Sequence, residues 1–153
     1  MRADIDPMTQ VDFYLLPVSE PQARLMYACR LAEKAWKQGR EIYIQTADAA
    51  DAKQLDELMW TFRDASFVPH GLIGSEPRAP IEIGCGEDAG DHHDVLVNLS
   101  GEIPPFFGRF ERVAEIVLND AEQKQQMRDA WRFYKDRGYP LNHHEIASLG
   151  GGR

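Results

Sequence analysis

The apolar residues of this chain follow two alternating rhythms, and that alternation limits its fold more than any other feature. Short apolar runs occupy residues 11–16, 41–45, 81–83, 94–99 and 112–118. Runs of that length, rich in β-branched and aromatic side chains and bounded by Pro, Gly or acidic residues, read as strands. Between them, residues 20–38 bring Leu25, Ala28, Cys29, Ala32 and Trp36 onto one helical face and stop at Gly39. Residues 48–60 do the same with Leu55, Leu58 and Met59. A short helix over 104–110 and a last helix over 120–137, stopped at Gly138, complete the series, with 112–118 as the last strand. Asp94-Val95-Leu96-Val97-Asn98-Leu99 is a continuous apolar run without polar alternation, the pattern of a strand covered on both faces. The order predicts an α/β fold, a three-layer sandwich around a mainly parallel sheet. At 153 residues the chain suits a single domain.

Residues 63–80, with Phe67-Val68-Pro69-His70 and several Gly and Pro, read as a long irregular surface connection, and 84–93 as an acidic, Gly-rich loop. Met8 opens an alternative start, so residues 1–7 read as an N-terminal extension, 8–147 as the domain and 148–153 as a flexible tail. No run approaches the ~18 apolar residues of a membrane span, and the first residues lack the apolar core of a signal peptide, so a cytoplasmic protein is expected. Cys29 and Cys85 have neither zinc-ligand nor disulfide-framework spacing and are expected reduced.

A parallel α/β sheet invites a nucleotide site, which needs a glycine-rich turn after the first strand. Here that turn is Pro17-Val18-Ser19-Glu20-Pro21, with no glycine, and no phosphate-loop GxxxxGK occurs anywhere. The glycine cluster at residues 84–90 carries Glu87 and Asp88, which repel phosphate. His92-His93 and His143-His144 lack a positioned third metal ligand and read as solvated loop histidines. Cys85 sits among acids rather than beside a base, Cys29 belongs to a helix's apolar face, and neither Ser66 nor Ser100 has a nucleophile context. No catalytic residue, metal or cofactor is predicted. The net charge of −8 also opposes direct binding to a phosphate backbone.

Charge is uneven, however. Residues 120–137 hold five Lys/Arg against four Asp/Glu in an otherwise acidic chain. Lys124, Arg128 and Arg132 are four apart and form one basic helical stripe, with Met127 and Trp131 beside it and Val117 on the strand leading in. Such a stripe suits an acidic partner. The competing reading is a solvated face whose cations pair with Glu122, Asp129 and Asp136.

Five blocks then carry a resemblance that extends from Val11 to His144: Phe13-Tyr14-Leu15-Leu16, Leu55-Asp56-Glu57-Leu58-Met59-Trp60, Ser66-Phe67-Val68-Pro69-His70, residues 94–99, and the final helix with Lys124, Arg128, Tyr134 and Gly138. The second and third blocks are the most specific. On these residues the chain resembles the chi subunit family of bacterial DNA polymerase III. The resemblance implies a Rossmann-like fold without enzymatic activity and a bridging role with two faces. One face takes the psi subunit, which connects to the clamp loader, or a DinG/XPD-like repair helicase; the matching positions are Trp60, Phe67 and Pro69. The other takes the acidic C-terminal tail of single-stranded DNA-binding protein, at Val117, Lys124, Arg128, Trp131 and Arg132. Arg128 would hold the tail's terminal carboxylate, while Val117 and Trp131 would line a pocket for its last side chain. Trp131 stands where the best-known members carry tyrosine, and the acidic loop over 84–93 matches nothing in the family pattern. The alternatives are a nucleotide-binding enzyme on the same fold, or an adaptor of unrelated type, which would explain exposed aromatics but not the five blocks; for Trp60 and Phe67 themselves the competing reading is a satellite core cluster.

Overall fold

The computed structural model describes residues 8–61 and 68–147. Seven strands, β1 (Gln10–Leu15), β2 (Ile42–Gln45), β3 (His70–Leu72), β4 (Ile81–Gly84), β5 (Val95–Asn98), β6 (Arg112–Val117) and β7 (Leu141–Glu145), form one sheet in the order β3-β4-β2-β5-β6-β1-β7. Every pairing is parallel. Three helices, α1 (Pro21–Lys37), α2 (Ala49–Thr61) and α3 (Ala121–Asp136), cross over between strands, as parallel pairing requires.

Alternation along the strands divides the core between two layers. Ile42, Ile44, Val95, Val97, Ala114 and Ile116 face α1 and α2, where they meet Ala28, Cys29, Ala32, Leu55 and Met59. Val11, Phe13, Tyr43, Leu96, Val113 and Val117 face the opposite side, where Phe107, Phe110 and Tyr134 of α3 close over them. The predicted α/β sandwich is therefore present, with helices on both faces.

Local chemistry fixes the helix starts. Asp120 accepts the Gln123 amide at 2.8 Å and caps α3, an arrangement that typically stabilises a helix by ~1 kcal/mol. Asp48 accepts the Asp51 amide at 2.8 Å at the start of α2. Pro21 opens α1 at a position where its missing N–H costs nothing.

Several sequence expectations need correction. Residues 63–80 are not one irregular connection, because His70–Leu72 pairs with β4 as an edge strand. Residues 112–118 do not contain the last strand either: Leu141–Glu145 adds β7 beside β1. Both strands are short and lack an apolar run, since each sits at a sheet edge with less to bury. The helix expected over 104–110 is only a 3-10 turn at Phe107–Arg109. The histidines are not in solvated loops as a group. His92 is buried, with its Nε2 2.8 Å from Glu82 Oε1, and His143 and His144 belong to β7. Cys29 is in the core as expected, and burial pushes its thiol up to about 12.

Candidate interaction faces

The carboxyl edge of the sheet, the usual ligand crevice of a parallel α/β fold, is filled by the chain's own side chains. Arg24 in the first turns of α1 donates through Nε to the Ile116 carbonyl at 2.9 Å and through Nη1 to the Leu99 carbonyl at 3.2 Å. Across from it, Glu115 on β6 accepts from Asn98 Nδ2 at 3.0 Å and from the Tyr134 hydroxyl at 2.7 Å. Burial pushes the Glu115 carboxyl up to about 7, while its bonds to Asn98 and Tyr134 and the Arg24 charge favour ionisation and limit the rise. Only about 30 Å³ of space remains among these groups, roughly the room of a single water. An arginine bonded to strand-end carbonyls and a carboxylate offer no cradle for a phosphate.

The expected basic stripe lies on α3, exposed at Lys124, Arg128 and Arg132. Arg128 Nη2 donates to Gln125 Oε1 at 2.9 Å. Among the described residues, none of these three cations forms an ion pair with Glu122, Asp129 or Asp136. The face is solvent-exposed, as the competing reading has it, but the pairing with Glu122, Asp129 and Asp136 that it also expected is not seen among the described residues. Trp131 packs its ring 5.2 Å from Phe13, so its indole is half-buried rather than free to swing. His143 on β7 meets the same indole edge-on at 6.3 Å.

Between α3 and β7 these side chains bound an open groove of about 810 Å³, lined by Met127, Arg128, Trp131, Arg132, Lys135 and His143 and by one acid, Asp136. Arg128, Trp131 and Arg132 are thus brought together as the sequence predicts. Val117 and Lys124 do not line this groove. Val117 is 6% exposed and lines the small crevice beneath the first turns of α3, with Met127 common to both spaces. Lys124 sits one turn before Arg128, along the approach to the groove. Lys135 and His143 were missed in the sequence. Lys135 is four residues from Trp131 and legible as the same helical face, whereas His143 could be placed only by knowing that β7 exists.

The second face lies at the other end of the sheet. Trp60 lies in the last turn of α2, one residue before its end, and is 66% exposed, so it is not part of a satellite core. Its ring sits 4.6 Å from the His70 ring. The His70 ring nitrogens each face a carbonyl, Nδ1 at 2.8 Å from that of Val68 and Nε2 at 3.1 Å from that of Asp56, so a ring with one N–H donates to one of them, and the Nε2 side meets Asp56 of α2 beside β3. Trp60, Pro69 and His70, with Met59, Glu76 and Arg78, border a groove of about 430 Å³. Pro69 is exposed there. Phe67, assigned to this face by the sequence, lies outside the described residues.

No helix among the described residues is long and apolar enough to cross a membrane. Among the same residues no group of three His, Cys, Asp or Glu side chains is placed to hold a metal ion.

A family model described as DNA polymerase III chi subunit, HolC, matches residues 8–142. The chain is similar to the DNA polymerase III subunit chi of Pseudomonas aeruginosa, 48% identical over 93% of this chain and 100% of that protein. It is 32% identical to the subunit chi of Escherichia coli, over 88% of this chain and 97% of the other, and 32% identical to that of Haemophilus influenzae, over 85% and 92%. The crystal structure of T4 UvsW superposes with a TM-score of 0.62 at 11% identity, covering 90% of this chain and 41% of that one, a likeness of fold alone.

Proposed function

This chain belongs to the DNA polymerase III chi-subunit family, and from that premise we propose that it is a non-catalytic bridge, carrying the clamp-loader assembly on one face and the tail of single-stranded DNA-binding protein on the other. The observation that carries the reading is the α3 groove, where Arg128 and Arg132, exposed and without ion-pair partners among the described residues, flank an indole packed on Phe13, with Lys124 exposed one turn before them. Exposed cations steer an acidic chain at long range, and a guanidinium grips a carboxylate with two parallel hydrogen bonds. Arg128 is therefore the residue for the tail's terminal carboxylate. Trp131 and Met127 offer apolar surface for its last side chain, and Lys124 and Arg132 meet the acids upstream. Val117 acts from below, as part of the floor on which α3 rests.

The Trp60 face takes the psi subunit, or a DinG/XPD-like helicase in the same place. An indole two-thirds exposed beside a rigid His70 and Pro69 has the chemistry of an interface anchor, a role for which tryptophan is the preferred residue. The two faces stand at opposite edges of one sheet, so both partners can be held at once. The filled carboxyl-edge crevice weighs against a nucleotide-binding enzyme on this fold.

Fluorescence anisotropy with a labelled acidic peptide that ends in phenylalanine tests the reading. Binding should weaken as salt rises, fall by ~2 kcal/mol or more in Arg128→Ala, and be unchanged in Trp60→Ala. Equal affinity for the wild type and Arg128→Ala would reject the site.

A further inference from the structure

The α3 groove ends on β7, a sheet edge that is unpaired among the described residues. Pro140 accepts the Val11 amide at 3.0 Å and Ile146 donates to the Leu15 carbonyl at 2.9 Å, with Val11 opposite Leu141 and Leu15 opposite Glu145. Parallel ladder geometry then turns the backbone groups of Asn142 and His144 toward β1 and those of Leu141, His143 and Glu145 outward. Among the described residues no backbone group pairs with that outward row. β7 is therefore an open edge, able to accept one more strand.

The side chains beside this edge are sorted. His144 turns to the α1 side, where it stacks 4.9 Å from Tyr14 and its Nε2 lies 3.1 Å from Asp12. His143 turns to the α3 side and borders the groove with Arg128, Arg132 and Lys135. A strand added to β7 would thus project every second side chain toward Arg128, Arg132 and Lys135, with Asp136 in the groove and Glu145, 4.0 Å from His143 on the same face of β7, as the acids nearby.

We propose that β7 captures the acidic tail of the single-stranded DNA-binding protein as an extended eighth strand, its backbone paired with Leu141, His143 and Glu145 and its alternate acids facing the α3 cations. The proposal rests on the reading of the groove given above. It adds backbone recognition, which is indifferent to the tail's sequence, to the charge recognition supplied by α3. A second copy of this chain is the competing occupant, but two copies paired edge to edge would bring the two sets of cations together.

The test uses the full chain and a labelled peptide composed of a run of aspartates with a C-terminal phenylalanine. Two further versions carry N-methyl groups at alternate amides, one at odd and one at even positions from the C-terminus. Only one set of amides can face β7, so one version should bind about tenfold or more weaker and the other within about twofold of the parent. On the protein, His143→Pro removes an outward donor while leaving the bonds to β1, and should bind the parent peptide about tenfold more weakly than His143→Ala, which removes the same side chain but keeps the amide. If His143→Pro does not fold, the peptide pair decides alone. Equal binding of the two methylated versions overturns the strand, as does unchanged binding to a folded His143→Pro. Sedimentation that shows a dimer dissolved by His143→Pro, with peptide binding unchanged, gives the edge to a second copy instead. Loss of binding in Arg128→Ala with equal methylated versions defeats this inference and leaves the groove assignment standing; no loss in Arg128→Ala defeats the groove assignment itself.

Discussion

The Tyr134 hydroxyl donates to Glu115 Oε2 at 2.7 Å, and this bond fixes the register of α3 over β6. Tyr134 is fully buried and three residues beyond Trp131, so the cations and the indole of the groove inherit their position from it. Glu115 is in turn held by Asn98, and the charge of Arg24 lies close by. A polar cluster in the crevice where related folds bind ligands thus serves to set an exposed surface.

That cluster makes stability depend on pH. An ordinary Glu releases its proton near 4.5, whereas Glu115 keeps it to about 7 because its carboxyl is buried. Between those values the folded chain holds a proton that the unfolded chain has released, so the contribution is complete below about 4.5 and is lost as pH rises through about 7. Glu115→Gln keeps an acceptor for Tyr134 and removes the titration. Urea unfolding of both proteins across this window should show the wild type losing roughly 1–3 kcal/mol more than the variant. Parallel curves would refute the assignment.

Tyr134→Phe should separate positioning from contact. The ring stays in the core against Phe13 and Phe107, but the bond to Glu115 is lost. A stability loss of about 1–3 kcal/mol is expected in a thermal or urea melt. Weaker binding of the acidic peptide should accompany it, although Tyr134 does not line the groove. An unchanged peptide affinity would show that α3 keeps its place without the bond.

At the other face, Trp60→Ala removes an exposed indole and should change stability by no more than ~0.5 kcal/mol. Capture of psi or the helicase should drop by ~2 kcal/mol or more, measured with purified partners. His70→Ala should behave differently, costing roughly 1–3 kcal/mol in stability, because it removes the ring whose Nε2 meets Asp56 and joins α2 to β3. Comparable melts for the two variants would contradict this division.

The cysteines should differ in reactivity. Cys29 is enclosed by α1 and the sheet with its thiol raised to about 12, while Cys85 is partly exposed. A thiol reagent should therefore modify Cys85 in the native protein and Cys29 only after unfolding, and native Cys85→Ser should show no fast reaction. Fast modification of that variant would place Cys29 nearer the surface.

The sequence by itself determined the alternation of strands and helices, because each central strand and each amphipathic helix must bury an apolar face whose period is written in its residues. It also determined the basic stripe on α3 and the absence of a phosphate turn, since both are local spacings. The family blocks added the two faces, of which Trp60, Pro69, Arg128, Trp131 and Arg132 border the observed grooves. Only the tertiary structure decided the two sheet edges. β3 and β7 have no apolar run to announce them, because an edge strand meets the sheet on one side only and is held by backbone pairing, which any sequence can supply. Lys135 was legible from its helical spacing, whereas the same reason hid His143 and the Arg24–Glu115 crevice from a reading of residues in order. Each depends on chain segments distant in sequence, and their contacts exist only once the parallel ladder has set β7 beside β1 and α3 above them both.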